Sequence, residues 1–241
     1  MMTHFRDEDY PADPYPGTRP NSSFVDIGRE GYLIRPTSTT RSGWAIGTTD
    51  LDDWLSQHDA EPLAERLPVL AYGSNVNPSK ITWLRDELEL TGPAIVMQAR
   101  CHGVAAVWSA GIRARDGQRP AVLAAGDGYE DHAVWFATPE QRRVLDRCEG
   151  RGQRYRLTWL WASITLDNGE ELRPVLAYTA RPEAVGQEIP VELNRAPLLV
   201  SGKLVRCADL GQEDAVTLTG EAASTDGLTV TEVHGEPDPL T

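Results

Sequence analysis

The sequence predicts an α+β fold, a small mixed β-barrel with flanking helices. Three observations predict it. Apolar runs of strand length outnumber helical patterns and do not alternate with them in βαβ order, so a mixed sheet curling on itself is expected. Asn168-Gly169 separates two of those runs, which is the signature of a hairpin turn. Two helices have well-specified starts, Asn77-Pro78 and Thr138-Pro139-Glu140-Gln141. At 241 residues the chain suits one domain with a sizeable core plus appendages.

Taken in order, residues 1–23 mix prolines and glycines with acidic and aromatic positions and show no period that could bury a face. A flexible or draped arm is expected there. Residues 24–66 are expected to form an extension packed on the core. Within it Gly31-Tyr32-Leu33-Ile34 reads as a short strand and Asp50-Leu51-Asp52-Asp53-Trp54-Leu55 as a capped amphipathic helix. The main domain is assigned to 67–205. It opens with a strand over 67–72, followed by a helix with Asn77 as N-cap, Pro78 as first residue and Ile81, Leu84 and Leu88 on one face. Further strands are expected over 104–108, 120–125, 133–137, 155–165 and 172–180. Thr138 and Gln141 form a capping box for the second helix, and Gly150 ends it. Residues 206–241 read as an acidic tail, either flexible or contributing an edge strand through 228–233.

A formal net charge of −13 argues against nucleic acid and anionic membrane as partners, because phosphate binding needs a basic footprint. A small molecule or a protein is the expected partner. Cys101, Cys148 and Cys207 are odd in number and widely spaced, unlike a disulfide framework. No secretory leader and no long apolar run is read in the chain, so a soluble, cytoplasmic protein is expected.

Tyr72-Gly73-Ser74-Asn75 lies between the first core strand and its helix, with no room for an ordinary loop. Gly73 permits positive φ and close approach of a ligand, and successive N–H groups with short polar side chains face a concave turn. The helix start beyond adds partial positive charge, so the turn suits a carboxylate. Some seventy residues on, Leu145-Asp146-Arg147-Cys148-Glu149-Gly150 closes the second helix, with Tyr155 beyond. Glu149 sits where the helix dipole opposes a negative charge. That suits a proton-transferring base better than a structural carboxylate. The surrounding Arg142, Arg143, Arg147, Arg151, Arg154 and Arg156 could instead pair with it or form a solvated face.

Together the two motifs resemble the γ-glutamylcyclotransferase family over about 67–205. The resemblance implies a compact β-barrel with flanking helices, a substrate-binding turn at Tyr72, Gly73, Ser74 and Asn75, and Glu149 as the catalytic acid/base. It implies release of 5-oxoproline and a free amine from a γ-glutamyl small molecule, with no cofactor and no metal. Tyr155 is a candidate to line the pocket. Val76 and the stretch Arg151-Gly152-Gln153 depart from the family pattern. Cysteine catalysis through Cys148 or Cys101 lacks a motif, and no Cys or His pair has zinc-ligand spacing. A non-catalytic binding module on the same fold is the alternative.

Overall fold

The computed structural model describes residues 4–181, 190 and 192–237. The N-terminal region supplies strands β1 (His4–Arg6), β2 (Phe24–Ile27), β3 (Glu30–Pro36), β4 (Trp44–Ile46) and β5 (Thr49–Asp50), then helix α1 (Leu51–Ser56). The central region runs β6 (Leu67–Ala71), α2 (Pro78–Leu88), β7 (Ala94–Trp108), β8 (Ala121–Ala137) and α3 (Pro139–Glu149). It continues through β9 (Tyr155–Leu160), β10 (Ser163–Leu166), β11 (Glu171–Leu172) and β12 (Val175–Ala180). Last come β13 (Leu198–Val200), β14 (Lys203–Leu204), α4 (Gln212–Ala215), β15 (Glu221–Ala222) and β16 (Val230–Glu232).

One large sheet organises these parts in the order β16-β9-β12-β6-β8-β7-β2-β3-β4-β5, with β1 beside β3 and the β10-β11 hairpin against β7. Its neighbours are antiparallel except for β6 and β12, where Val69 pairs with Leu176 in parallel register. The expected barrel is corrected here: the sheet stays open. At the β7 side the N-terminal strands add on outwards, as Phe24 pairs with Val96 and the sheet then continues through β3 to β5. At the other side β16 pairs with β9. With both ends extended by terminal segments, the ends do not meet and pair.

Alternation along the strands builds a core on each face. Val69, Ala71, Trp135 and Leu176 pack with Ile81 and Leu84 of α2 and Val144 and Leu145 of α3. Leu70, Val134, Phe136 and Ile95 face the other way, against Val25, Trp44 and Leu55 of the extension and Ile164 of the hairpin. The capping chemistry is as the sequence reads. Asp50 accepts from the N–H groups of Asp52 and Asp53, Asn77 from Lys80, and Thr138 from Gln141. Gly150 takes the left-handed conformation, φ 64°.

The terminal segments run along this body. Phe5 is buried beside Phe24 with ring centroids 5.4 Å apart. Asn77 Nδ2 donates to the carbonyls of Tyr10, Pro11 and Thr18, which ties the arm to the start of α2. From the C-terminal tail, Gln212 Nε2 donates to Arg119 O at 2.9 Å, and Glu236 pairs with the buried Arg142. The last four residues of the tail lie outside the described ones. Among the described residues no helix is long and apolar enough to cross a membrane.

Candidate active site

The strand-to-helix turn and the end of α3 meet at a cavity of about 290 Å³. Its wall includes Tyr72, Gly73, Ser74, Asn75, Glu149 and Tyr155, so all six residues singled out from sequence line the same space. The link between the two motifs is direct: Asn75 Nδ2 donates to Glu149 Oε1 at 2.7 Å, across 74 residues of sequence. β6 delivers the turn because it stops at Ala71, opposite Ala133, while its neighbours β8 and β12 run on past that level. A short 3-10 turn over Ser74–Val76 then leads to the Asn77 cap. The N–H groups opening such a turn have no acceptor inside it and are available to a ligand.

Gly73 departs from expectation. Its φ is −121°, so the positive φ anticipated for it is not used. Glycine is required instead by a neighbour: a Cβ at this position would lie 2.8 Å from the Tyr15 hydroxyl oxygen. The arm, not only a ligand, makes the close approach.

The arginines near Glu149 have other partners. Arg154 donates through Nε to Glu149 O and through a terminal nitrogen to Cys148 O, closing the end of α3. Arg142 and Arg151 pair with Asp146, Arg143 with Glu140, and Arg147 donates to Leu88 O. Arg156 lies 4.0 Å from Asp226. Among the described residues no guanidinium forms an ion pair with the Glu149 carboxylate, which keeps its Asn75 contact and faces the cavity.

Tyr72 donates to Tyr178 O at 2.5 Å, and Tyr178 donates to Asp146 Oδ1 at 2.7 Å. Tyr155 donates to Ala121 O at 3.3 Å. Burial pushes Tyr155 up to about 12, and raises Tyr72 and Tyr178 as well. These phenols are therefore neutral at ordinary pH. Burial, with Glu149 adding to it, also pushes the Cys148 thiol up to about 11, against the thiolate that nucleophilic catalysis needs.

Several cavity residues escaped the sequence reading. Lys80 has its Nζ 3.3 Å from the Trp83 ring centroid, and burial lowers its pKa despite Cys148 and Glu149 nearby. Arg195 is 4% exposed, stands 5.5 Å from the Tyr155 ring centroid and donates to the carbonyls of Glu192 and Asn194. It has no carboxylate partner among the described residues, and its Nε is buried without a hydrogen bond. Tyr15 arrives from the arm and Arg113 stacks on its ring at 4.5 Å. Tyr15 and Arg195 lie in no periodic or capped segment, and Lys80 lies in the capped helix α2 but off its apolar face, so nothing in the sequence marked any of them as cavity residues. Among the described residues no cluster of His, Cys, Asp or Glu is arranged to hold a metal.

No protein-family model matches the sequence, and no curated protein matches it. Solved structures do. An uncharacterized human protein matches at 18% identity and TM-score 0.40, over 48% of this chain and 68% of that one. An Arabidopsis thaliana protein matches at 21% identity and TM-score 0.35, over 51% of this chain and 76% of that one. A γ-glutamyl cyclotransferase matches at 19% identity and TM-score 0.40, over 48% of this chain and 68% of that one. Over about half its length, then, this chain is similar in structure to a γ-glutamyl cyclotransferase.

Proposed function

We propose that the protein is a γ-glutamylcyclotransferase-type enzyme that releases 5-oxoproline and a free amine from a γ-glutamyl small molecule. One observation supports the reading: the 2.7 Å contact from Asn75 to Glu149, which brings the Tyr72–Asn75 turn and the Glu149 carboxylate together at one cavity. In this scheme the N–H groups of the turn hold the glutamyl carboxylate. The buried Arg195 adds a positive charge to the same wall.

Glu149 removes a proton from the α-ammonium group, and the freed amine attacks its own γ-carbonyl to form a five-membered ring. The new C–N bond closes as the old one breaks. Glu149 returns its proton to the departing nitrogen; the ring nitrogen sheds its second proton as the departing amine takes one up. Charge balances and the carboxylate is regenerated. A positioned general acid/base is worth on the order of 10² to 10⁴-fold. The tethered nucleophile adds an effective molarity of about 10⁵ M or more. The chemistry calls for no metal and no organic cofactor.

The test is a panel of γ-glutamyl amino acids, γ-glutamyl amines and glutathione, followed by mass spectrometry for 5-oxoproline. Release from at least one member supports the reading. A folded protein that releases none from any of them refutes it.

A further inference from the structure

Four tyrosine side chains line the cavity, Tyr15, Tyr72, Tyr155 and Tyr178, and three of them spend their hydroxyl protons on the protein. Tyr72 gives its proton to Tyr178 O, Tyr155 to Ala121 O and Tyr178 to Asp146. Tyr15 is bonded in the opposite sense. Its hydroxyl oxygen accepts from Ala121 N at 3.1 Å, and no acceptor for its own proton occurs among the described residues. The ring is buried, at 9% exposure, and the oxygen stands over Gly73 at the head of the turn.

The placement is held from several sides. Tyr15 N donates to Gln118 Oε1 at 3.2 Å, and Gln212 Nε2 donates to Tyr15 O at 3.3 Å. The ring lies between the Arg113 guanidinium and Trp108, whose ring centroid is 6.2 Å away. Asn77 grips the arm before and after it, at Tyr10, Pro11 and Thr18. Burial raises the phenol well above its ordinary range, so it is a neutral donor.

We propose that Tyr15, contributed by the N-terminal arm, is a substrate-binding residue whose hydroxyl donates to a carboxylate oxygen of the ligand held on the Gly73 turn. The arm thereby forms a working wall of the site. This rests on the reading that the turn holds a carboxylate, and it adds a donor that neither sequence motif contains. A phenol donating to a charged acceptor strengthens binding by about 10- to 100-fold. Because the contact is made equally before and during reaction, its loss is expected in KM and not in kcat.

Two measurements test it. Tyr15→Phe keeps the ring between Arg113 and Trp108 and removes only the hydroxyl. On whichever γ-glutamyl compound the wild type turns over, KM should rise at least tenfold with kcat within about threefold. An unchanged KM, or a loss confined to kcat, overturns the proposal. Replacement of Tyr15 alone by 3-fluorotyrosine leaves the fold nearly untouched and gives one ¹⁹F resonance. That resonance should move on saturation with a γ-glutamyl compound and stay put with the free amine part. A resonance unmoved by every member of the panel also overturns it. Since the fluorine signal reads binding and not turnover, a protein that shifts the signal yet releases no 5-oxoproline would refute the proposed reaction and uphold the role of Tyr15.

Discussion

At the scale of single residues, Gly73 occupies its turn for a different reason than the positive φ expected of it. Its φ of −121° suits any residue, yet a Cβ there would meet the Tyr15 oxygen at 2.8 Å. That oxygen is fixed by Ala121 N and has little freedom to retreat. Gly73→Ala should therefore cost about 1–3 kcal/mol by overpacking. Most of this cost should vanish in a Tyr15→Phe background, a coupling that a double-mutant cycle of urea midpoints would reveal. Equal costs in both backgrounds would show that the backbone, not Tyr15, demands the glycine. That the six candidate residues border one cavity follows from settings visible locally in sequence: a turn between strand and helix, and a carboxylate beside a helix-ending glycine. Tyr15, Lys80 and Arg195 were not legible, since nothing in their neighbourhoods distinguishes a cavity-lining side chain from a packing or surface one.

At the scale of elements, helices α1 to α3 were legible, the short α4 was not, and the strands were legible only in part. Caps are written in adjacent residues, so Asn77-Pro78 and Thr138 to Gln141 locate the starts of α2 and α3 directly. The expected strands 120–125 and 133–137 are two ends of the one strand β8. Its polar middle reads as a loop, but Tyr129 to Asp131 pair across to β7, with Arg100 opposite Asp131, and the register shifts over the residues before them. The arm was expected as flexible or draped, but its anchors were not marked for a related reason: Phe5 and Tyr15 are isolated aromatics without a period. Asn77 joins both stories, capping α2 through its oxygen and clamping the arm through its nitrogen. Asn77→Ala should lose the cap, about 1 kcal/mol, and leave arm carbonyls without their donor, for a total of about 2–4 kcal/mol. Thr138→Ala, which loses a cap alone, should cost about 1 kcal/mol. Comparable losses in the two variants would mean that the arm contributes no binding energy at Asn77.

At the scale of the whole molecule, two buried groups pull the pH dependence of stability in opposite directions. Burial lowers His132 to about 4, although Glu130 beside it favours the charged form. The unfolded chain then takes up the proton first, so the stability present above the ordinary histidine range is lost as pH falls from about 6.5 towards 4. Burial raises Asp26 to about 6 against the opposing pull of Arg85. Its contribution is present below the ordinary carboxylate range and lost as pH rises through about 6. His132→Gln removes the first effect and keeps the second. The variant should lose less stability than the wild type between pH 7 and 4.5, by about 2 kcal/mol in urea unfolding. An identical acid response would remove His132 from the account.

The open sheet belongs to this scale too, because strand patterns fix which face is apolar but not whether terminal segments will occupy both edges. What the whole fold accomplishes is to bring the turn after β6 onto the end of α3, and the central claim is that Glu149 there shuttles the proton. The direct measurement is 5-oxoproline release by wild type and Glu149→Gln on the best γ-glutamyl substrate, with melting temperature and ligand affinity measured alongside. The expected result is a fall in turnover of on the order of 10² or more while folding and binding persist. Wild-type turnover in Glu149→Gln would contradict it.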